Sequence, residues 1–148
     1  ADYRDYVLLP TQKLVRGIRG APVIHFGTGT GALLELMKEA GGDVIGVDWR
    51  VRLDDAWARL GNVAVMGNLD PAVLFSDPKA IRAQVQRVLG EAGGRPGHLF
   101  NLGHGILPGT PVENVLALVE AVKELGARKN VPEAGDSKIR TGKDSRPV

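Results

Sequence analysis

Apolar residues along the chain fall into short runs, separated by glycine-rich turns and by stretches with helical spacing. The runs lie at residues 21–26, 44–47, 63–66 and 99–102. They show little alternation of apolar and polar residues, which is typical of buried strands in a parallel sheet. Between and after them, apolar residues recur every three or four positions, as on the buried face of a helix. The pattern predicts four strands that alternate with helices.

Local signals indicate where the first helices end. Residues 2–19 have mostly helical spacing, and Pro10 is predicted to kink or divide that segment. The helix after the first strand is predicted to end at Gly41 and Gly42, and the helix after the second strand at Gly61.

The two later helices have recognisable start signals. Ser76 or Asp77 is predicted to cap the helix after the third strand. For the last helix we expect Thr110 as the N-cap, with Pro111 at the first helical position and Glu113 closing a capping box.

Strict alternation of strand and helix with short loops predicts an α/β fold, either a doubly wound sheet or a (β/α) barrel. A complete (β/α)8 TIM barrel takes about 250 residues, or roughly 31 per unit. Residues 1–126 therefore have room for about four β/α units. If the fold is a barrel, this chain is half of one.

Charge divides the chain into two parts. The 148 residues carry a net charge of +2, but residues 127–148 hold a surplus of three positive charges, which leaves residues 1–126 at −1. The tail has few large apolar side chains, so it cannot bury enough surface to offset its ordering entropy. We expect one domain at residues 1–126 and a disordered basic tail at residues 127–148. The nearly neutral domain argues against nucleic acid as a partner.

Composition also restricts metal sites and location. The chain contains no cysteine, which excludes disulfides and thiolate metal sites. No apolar run is long enough to cross a bilayer and the first residues lack a signal-peptide pattern, so we expect a cytoplasmic protein without membrane contact. The chain starts without methionine inside a helical pattern, which suggests a part of a longer chain.

Polar side chains follow every predicted strand at its carboxyl end, where both fold types bind ligands. These residues are His25 with Gly27, Asp48 with Trp49, Asn68 with Asp70, and Asn101 with His104. Taken singly, Asp48, Asn68 and Asp70 are each better explained as caps of turns or helices. His104 stands between two glycines, which let the backbone turn sharply and approach a ligand.

The segments VIHFGTGTG at 23–31 and VIGVD at 44–48 resemble the cofactor-binding opening of S-adenosylmethionine-dependent methyltransferases. The resemblance implies a Rossmann-like fold in which the glycines approach the cofactor and Asp48 binds ribose hydroxyls. Those enzymes usually carry an acidic residue two positions before the first glycine, where this chain has His25.

A second resemblance covers nearly all of the chain up to about Gly126. It rests on GVDW at 46–49, GNLDP at 67–71 and FNLGHGILP at 100–108, with HFGTG at 25–29 in addition. In this order the motifs resemble the carboxyl-terminal half of the uroporphyrinogen decarboxylase family. The resemblance implies a (β/α)8 barrel that decarboxylates the four acetate side chains of uroporphyrinogen to give coproporphyrinogen in haem biosynthesis. The family uses no metal or organic cofactor and is commonly a homodimer.

The resemblance implies one substrate-binding residue, His104, which matches the pocket histidine of the family's NLGHG turn. The family's pyrrole-binding aspartate, carboxylate-binding arginines and pocket tyrosine belong to the other half, so no catalytic residue is assigned here. The remaining candidates for lining the pocket are His25, Gly27, Asp48, Asn68, Asp70 and Asn101. Arg50 and Arg52 could attract a polyanion, although solvated loop arginines are at least as compatible with the sequence.

Two further alternatives follow. Related corrinoid or coenzyme M methyltransferases share the barrel but bind zinc through a histidine and cysteines. This chain has no cysteine and cannot form that site, so decarboxylation is the better family interpretation. A half-barrel could also be a non-catalytic module that associates through its open sheet edges and exposed interior. Because half of the family's site is missing, we expect the chain alone to be inactive.

Overall fold

The structure is a computed structural model that describes residues 2–127, and it contains a four-stranded sheet with helices. The strands are β1 (Ile24–His25), β2 (Val44–Gly46), β3 (Ala64–Leu69) and β4 (His98–Leu102). The α-helices are α1 (Leu8–Gly17), α2 (Leu34–Ala40), α3 (Leu53–Leu60), α4 (Pro78–Ala92) and α5 (Val112–Gly126). A π-helical turn (Tyr3–Val7) precedes α1, and 3-10 turns precede α2 (Gly31–Leu33) and α4 (Pro71–Phe75). Strand and helix alternate from β1 to α5, as predicted.

The strands are parallel and follow one another in the order β1-β2-β3-β4. A doubly wound sheet reverses its strand order at a switch point, whereas a barrel adds each strand beside the previous one. The observed order is therefore that of half a (β/α)8 barrel and differs from the order of a Rossmann-like sheet. The predicted disordered tail lies outside the described residues, apart from Ala127 at its start.

The hydrophobic core lies between the sheet and the helices. Strand residues in this core include Ile45, Val65 and Leu69, and Val47 follows directly after β2; all four are fully buried. They form one cluster with helix residues such as Trp57 of α3 and Ile81 of α4. None of the helices between residues 2 and 127 is long and apolar enough to cross a membrane.

The other face of the sheet, here called the inner face, carries half-exposed apolar side chains. Met66 pairs with Leu99 in register across β3 and β4, so their side chains share this face. Ile24, Phe26 and Leu99 are 47%, 40% and 40% exposed. The expectation of a buried strand at residues 21–26 is therefore wrong, because only two residues pair and β1 is an edge strand whose inner face is open.

The interruption in the first helical segment lies before Pro10 and not at it. The π-helical turn passes into α1 at Leu8, which places Pro10 in the first turn of α1. Proline has no N–H to donate to the carbonyl of Tyr6, so the regular helical bond is absent at that point. The wider turn before α1 accommodates this gap.

Of the side-chain caps predicted for the last two helices, the one at α4 is present and the one at α5 is absent. Asp77 is the N-cap of α4, where its carboxylate accepts hydrogen bonds from the backbone N–H groups of Lys79 and Ala80 at 2.9 and 3.1 Å. The capping box predicted for α5 is wrong: Pro111 is the N-cap and no side chain caps the helix. The Thr110 hydroxyl instead donates to the Leu107 carbonyl at 2.7 Å, which closes the preceding turn.

Candidate functional site

A groove of about 400 Å³ opens on the inner face near the carboxyl ends of β3 and β4. It is lined by Phe26, Met66, Asn101, Leu102, His104, Gly105 and Ile106. Most of this lining is apolar, while an amide and an imidazole supply polar groups. Such a surface fits a ligand with an apolar body and a small number of polar arms.

His104 lies in the turn after β4, and its side chain is exposed. Its Nδ1 has one contact in the described part of the chain, at 3.4 Å from the carbonyl oxygen of Gly105. The turn itself is anchored, because the Gly103 N–H donates to the Leu69 carbonyl at 2.7 Å. The imidazole therefore stands on a fixed backbone with most of its hydrogen-bonding capacity open to a ligand.

Asp48 follows β2 and is almost completely buried. Its carboxylate accepts hydrogen bonds from the backbone N–H groups of Gly29 at 2.8 Å and Arg50 at 2.9 Å, and from Nη1 of Arg50. Burial acts to raise the pKa of Asp48, but these donors outweigh it and hold the pKa below its ordinary value. Asp48 is therefore ionised and joins the turn at Gly29 to the turn at Arg50. Both of its carboxylate oxygens already accept hydrogen bonds.

Asn68 lies within β3, and not in the loop after it as the sequence suggested. It is 2% exposed, and its Nδ2 donates to the carbonyls of Asp48 at 3.1 Å and Val51 at 2.5 Å. Its Oδ1 is buried and accepts no hydrogen bond from residues 2–127. Asn68 thus fixes the turn at residues 48–51 to the end of the sheet.

Two of the predicted residues lie away from the groove. The Nδ1 of His25 is 3.2 Å from the Met37 carbonyl and 3.0 Å from the Gly41 carbonyl, at the end of α2. Its imidazole therefore faces the helix layer. Asp70 accepts a hydrogen bond from the Ala72 N–H at 2.9 Å and caps the 3-10 turn after β3. Neither side chain lines the groove.

Asn101 and Gly27 complete the predicted set. Asn101 lines the groove, where its Nδ2 contacts the Met66 sulfur at 3.3 Å and its Oδ1 accepts from the Leu102 N–H at 2.9 Å. Gly27 lies in the turn after β1, and its carbonyl accepts the Thr30 hydroxyl at 2.7 Å. The structure therefore brings Asn101 and His104 together in the groove, and places Asp48 and Asn68 in the framework of the neighbouring turns.

Sequence reasoning missed the apolar part of the groove. Phe26, Met66 and Ile106 line it, yet each reads in the sequence as an ordinary core or turn residue. A usable signal was the period of two in a strand, which places Met66 on the face of β3 opposite to that of the buried Val65. That relation identifies Met66 as an inner-face residue.

A larger cavity of about 660 Å³ lies at the opposite, amino end of β4. His98, Arg95 and Lys123 line it together with apolar residues of α4 and α5. The amino end of a barrel strand is the end associated with stability, and ligands bind at the carboxyl end. The smaller groove is therefore the candidate site.

Comparisons with known proteins agree with the second of the two resemblances. The family model for uroporphyrinogen decarboxylase (URO-D) matches residues 1–125. The chain is 56% identical over 129 residues to the uroporphyrinogen decarboxylase of Thermus thermophilus. The matched segment covers 86% of this chain and 38% of that protein. It is 53% identical over 130 residues to the one from Geobacter sulfurreducens, with the same two shares. The chain thus spans less than two fifths of these relatives.

A solved structure shows the same architecture. A methyltransferase from Methanosarcina mazei superposes with a TM-score of 0.72 at 25% identity, over 84% of this chain and 37% of that one. The strand order and the family match both contradict the Rossmann-like methyltransferase alternative, and the Asp48 carboxylate that would bind ribose already holds Gly29 and Arg50. The half-barrel prediction and the predicted family are confirmed. The chain belongs to the uroporphyrinogen decarboxylase family.

Proposed function

We propose that this chain forms the carboxyl-terminal part of the substrate site of a uroporphyrinogen decarboxylase. That carboxy-lyase converts the acetate side chains of uroporphyrinogen III to methyl groups and yields coproporphyrinogen III in haem biosynthesis. The observation that carries the proposal is the groove at the carboxyl edge of the sheet, where His104 stands beside an apolar surface. Family membership supplies the identity of the ligand.

The lining of the groove suits a tetrapyrrole. Phe26, Met66 and Ile106 offer apolar surface to the pyrrole rings, and the exposed His104 can donate a charge-assisted hydrogen bond to a carboxylate arm as the imidazolium. We assign His104 a binding and positioning role toward the substrate carboxylates. Asn101 is a second polar contact at the same rim, while Asp48, Asn68 and Gly27 support the turns around it.

We assign decarboxylation itself to groups of the amino-terminal half of the barrel. Loss of a carboxyl group leaves an electron pair that a protonated pyrrole ring can accept, so the site must stabilise cationic pyrrole character. The two carboxylates that follow β2 and β3, Asp48 and Asp70, are committed to backbone N–H groups. The chain alone is therefore expected to form no coproporphyrinogen from uroporphyrinogen, and product formation in that assay would overturn this assignment.

The same proposal covers cofactors and location. The protonated substrate ring supplies the electron sink, so the reaction we propose requires neither metal nor organic cofactor. We place the protein in the cytoplasm, with the tetrapyrrole as its ligand and with no nucleic-acid or membrane partner. Dialysis against a chelator should leave tetrapyrrole binding unchanged, and a loss of binding that zinc restores would contradict the metal-free proposal.

A second proposal concerns association. Within the described residues, β1 and β4 each have an unpaired edge, and Ile24, Phe26 and Leu99 leave apolar surface open on the inner face. Unpaired strand edges beside apolar surface favour association. We propose that the open half-barrel pairs with a second copy or with a complementary barrel half. A stable monomer by light scattering at micromolar concentration would count against pairing with a second copy.

Fluorescence titration with uroporphyrin, the stable oxidised form of the porphyrinogen, tests the binding proposal. The His104→Ala variant should bind roughly tenfold more weakly, as expected for loss of a hydrogen bond to a charged group. His25→Ala is the matched control, since His25 faces the helix layer, and its affinity should equal that of the unsubstituted chain once both are shown to be folded. Equal affinity in His104→Ala would contradict the role of His104.

A further inference from the structure

Arg50 has an unusual environment in the turn that follows β2. Its side chain is 52% exposed, yet it is joined to the carboxylate of Asp48, which is 1% exposed. The Nη1 of Arg50 lies 3.1 and 2.8 Å from the two oxygens of that carboxylate. The guanidinium carbon lies 4.4 Å from the ring centre of Trp49. A buried anion and an aromatic ring thus hold an exposed cation in place.

The remaining donors of Arg50 distinguish it from Arg52, in the same turn, and from Arg59 of α3. Arg52 directs its Nε and Nη2 to Asp54 at 3.1 and 2.6 Å, and Arg59 directs the same two atoms to Glu35 at 2.7 Å each. In Arg50 the ion pair uses Nη1, while Nε and Nη2 donate to no residue between 2 and 127. In an arginine, Nε and Nη2 form a fork that can bind both oxygens of a carboxylate. This fork is therefore unoccupied in Arg50 and occupied in Arg52 and Arg59.

The position of Arg50 relates it to the groove. Its turn is bound to the end of β3 by Asn68 and lies directly against Gly103, next to His104. Arg50 therefore belongs to the same edge of the sheet as the candidate site. Because the guanidinium is already held, a ligand carboxylate would not have to immobilise a free arginine side chain, which reduces the entropy lost on binding.

We propose that Arg50 binds a carboxylate arm of the tetrapyrrole through its Nε and Nη2, with Asp48 as the positioning residue that holds the guanidinium. This inference rests on the proposed function of the groove and adds a second carboxylate contact to that of His104. Asp48 then has a specific role, because it holds the guanidinium of Arg50 in a fixed position at the edge of the sheet before the ligand binds.

Titration of the full chain with uroporphyrin tests the inference through three variants. Arg50→Met should weaken binding roughly tenfold, and Arg50→Lys should recover only part of that loss because an ammonium cannot form the fork. Arg52→Met is the matched control: it removes an equal charge from the same turn and should leave the affinity within about twofold of the original. Equal affinities for Arg50→Met and Arg52→Met would overturn the inference while the binding proposal stands.

The role of Asp48 has a readout of its own. In the Asp48→Asn chain the Nε–H resonance of Arg50 should shift and exchange faster with water, while that of Arg52 stays in place. An unchanged Arg50 resonance would overturn the positioning role. If the unsubstituted chain binds no uroporphyrin, the proposed function of the groove fails, and the role of Arg50 fails with it.

Discussion

Gly103 lies so close to the backbone of Trp49 that no side chain fits between them. A Cβ atom on Gly103 would overlap the backbone nitrogen of Trp49 and lie 2.7 Å from its Cα. These are backbone atoms, which cannot move aside as the end of a flexible side chain can. The contact joins the turn of His104 to the turn of Asp48 and Arg50, so it fixes the two proposed ligand contacts relative to each other.

Substitution of Gly103 by alanine should therefore destabilise the fold. We expect the free energy of unfolding of Gly103→Ala to fall by about 1–3 kcal/mol, the usual effect of overpacking. Gly105→Ala is the control in the same turn, because in the described part of the chain nothing lies within 4 Å of a Cβ placed there. Urea denaturation of both variants measures this difference, and equal stabilities would show that the contact is unimportant.

Asp48 should make the protein sensitive to acid. Its folded-state pKa is lowered, so its contribution to stability is fully present above the unfolded-state value of about 3.9 and is lost as pH falls through the folded-state pKa. Stability of the unsubstituted chain should decline more steeply below about pH 4 than that of Asp48→Asn. Denaturant midpoints between neutral and acidic pH measure both slopes, and parallel slopes would contradict the role of Asp48.

His98 should contribute a second pH effect near neutrality. Its ring lies between Trp57 and Phe100, with centroids 6.2 and 6.1 Å away, and burial lowers its pKa although the Gly67 carbonyl opposes that shift. The unfolded chain then binds a proton more readily, so stability is full above about pH 6.5 and decreases as pH falls below it.

Removal of the His98 imidazole checks this effect. The His98→Phe variant should lose part of the decrease in melting temperature between about pH 8 and pH 5, as expected when the titrating group is removed. His104→Ala keeps His98 and serves as the control for loss of a histidine. A variant that retains the full decrease would show that His98 is not its source.

The helix caps give a prediction about α4 and α5. Asp77→Ala removes an N-cap with two hydrogen bonds and should lower the free energy of unfolding by about 1 kcal/mol. Thr110→Ala removes only the hydroxyl contact with Leu107 and should have a smaller effect, because Thr110 does not cap α5. Thermal melts of the two variants compare these effects, and a larger loss in Thr110→Ala would contradict the observed cap positions.

The fold was predictable because the four apolar runs and the helical spacing agree along the whole described chain. Details that depend on tertiary contacts were not predictable. Phe26 reads as buried, but it lies beside an open edge of the sheet. Thr110 has the sequence context of a cap, yet its hydroxyl donates to the Leu107 carbonyl and accepts no hydrogen bond from an N–H of α5. Local sequence cannot decide whether a threonine closes the preceding turn or caps the following helix.

The candidate site was predictable only in part. The glycines around His104 indicated a ligand turn, and the structure places that histidine in the groove. A shift of one residue along a strand moves a side chain to the other face, so the sequence could not decide that His25 faces the helices. The open fork of Arg50 was equally hidden, since it depends on which nitrogen atom Asp48 engages.

The most direct test of the account is to locate the tetrapyrrole on the protein. We would titrate the isotope-labelled chain with uroporphyrin and follow its backbone amide resonances by NMR. The account predicts that the perturbed amides cluster at Phe26, Met66 and residues 103–106, at the carboxyl edge of the sheet. Perturbations confined to residues 94–98 and 122–127, around the larger cavity at the amino end of β4, would contradict it.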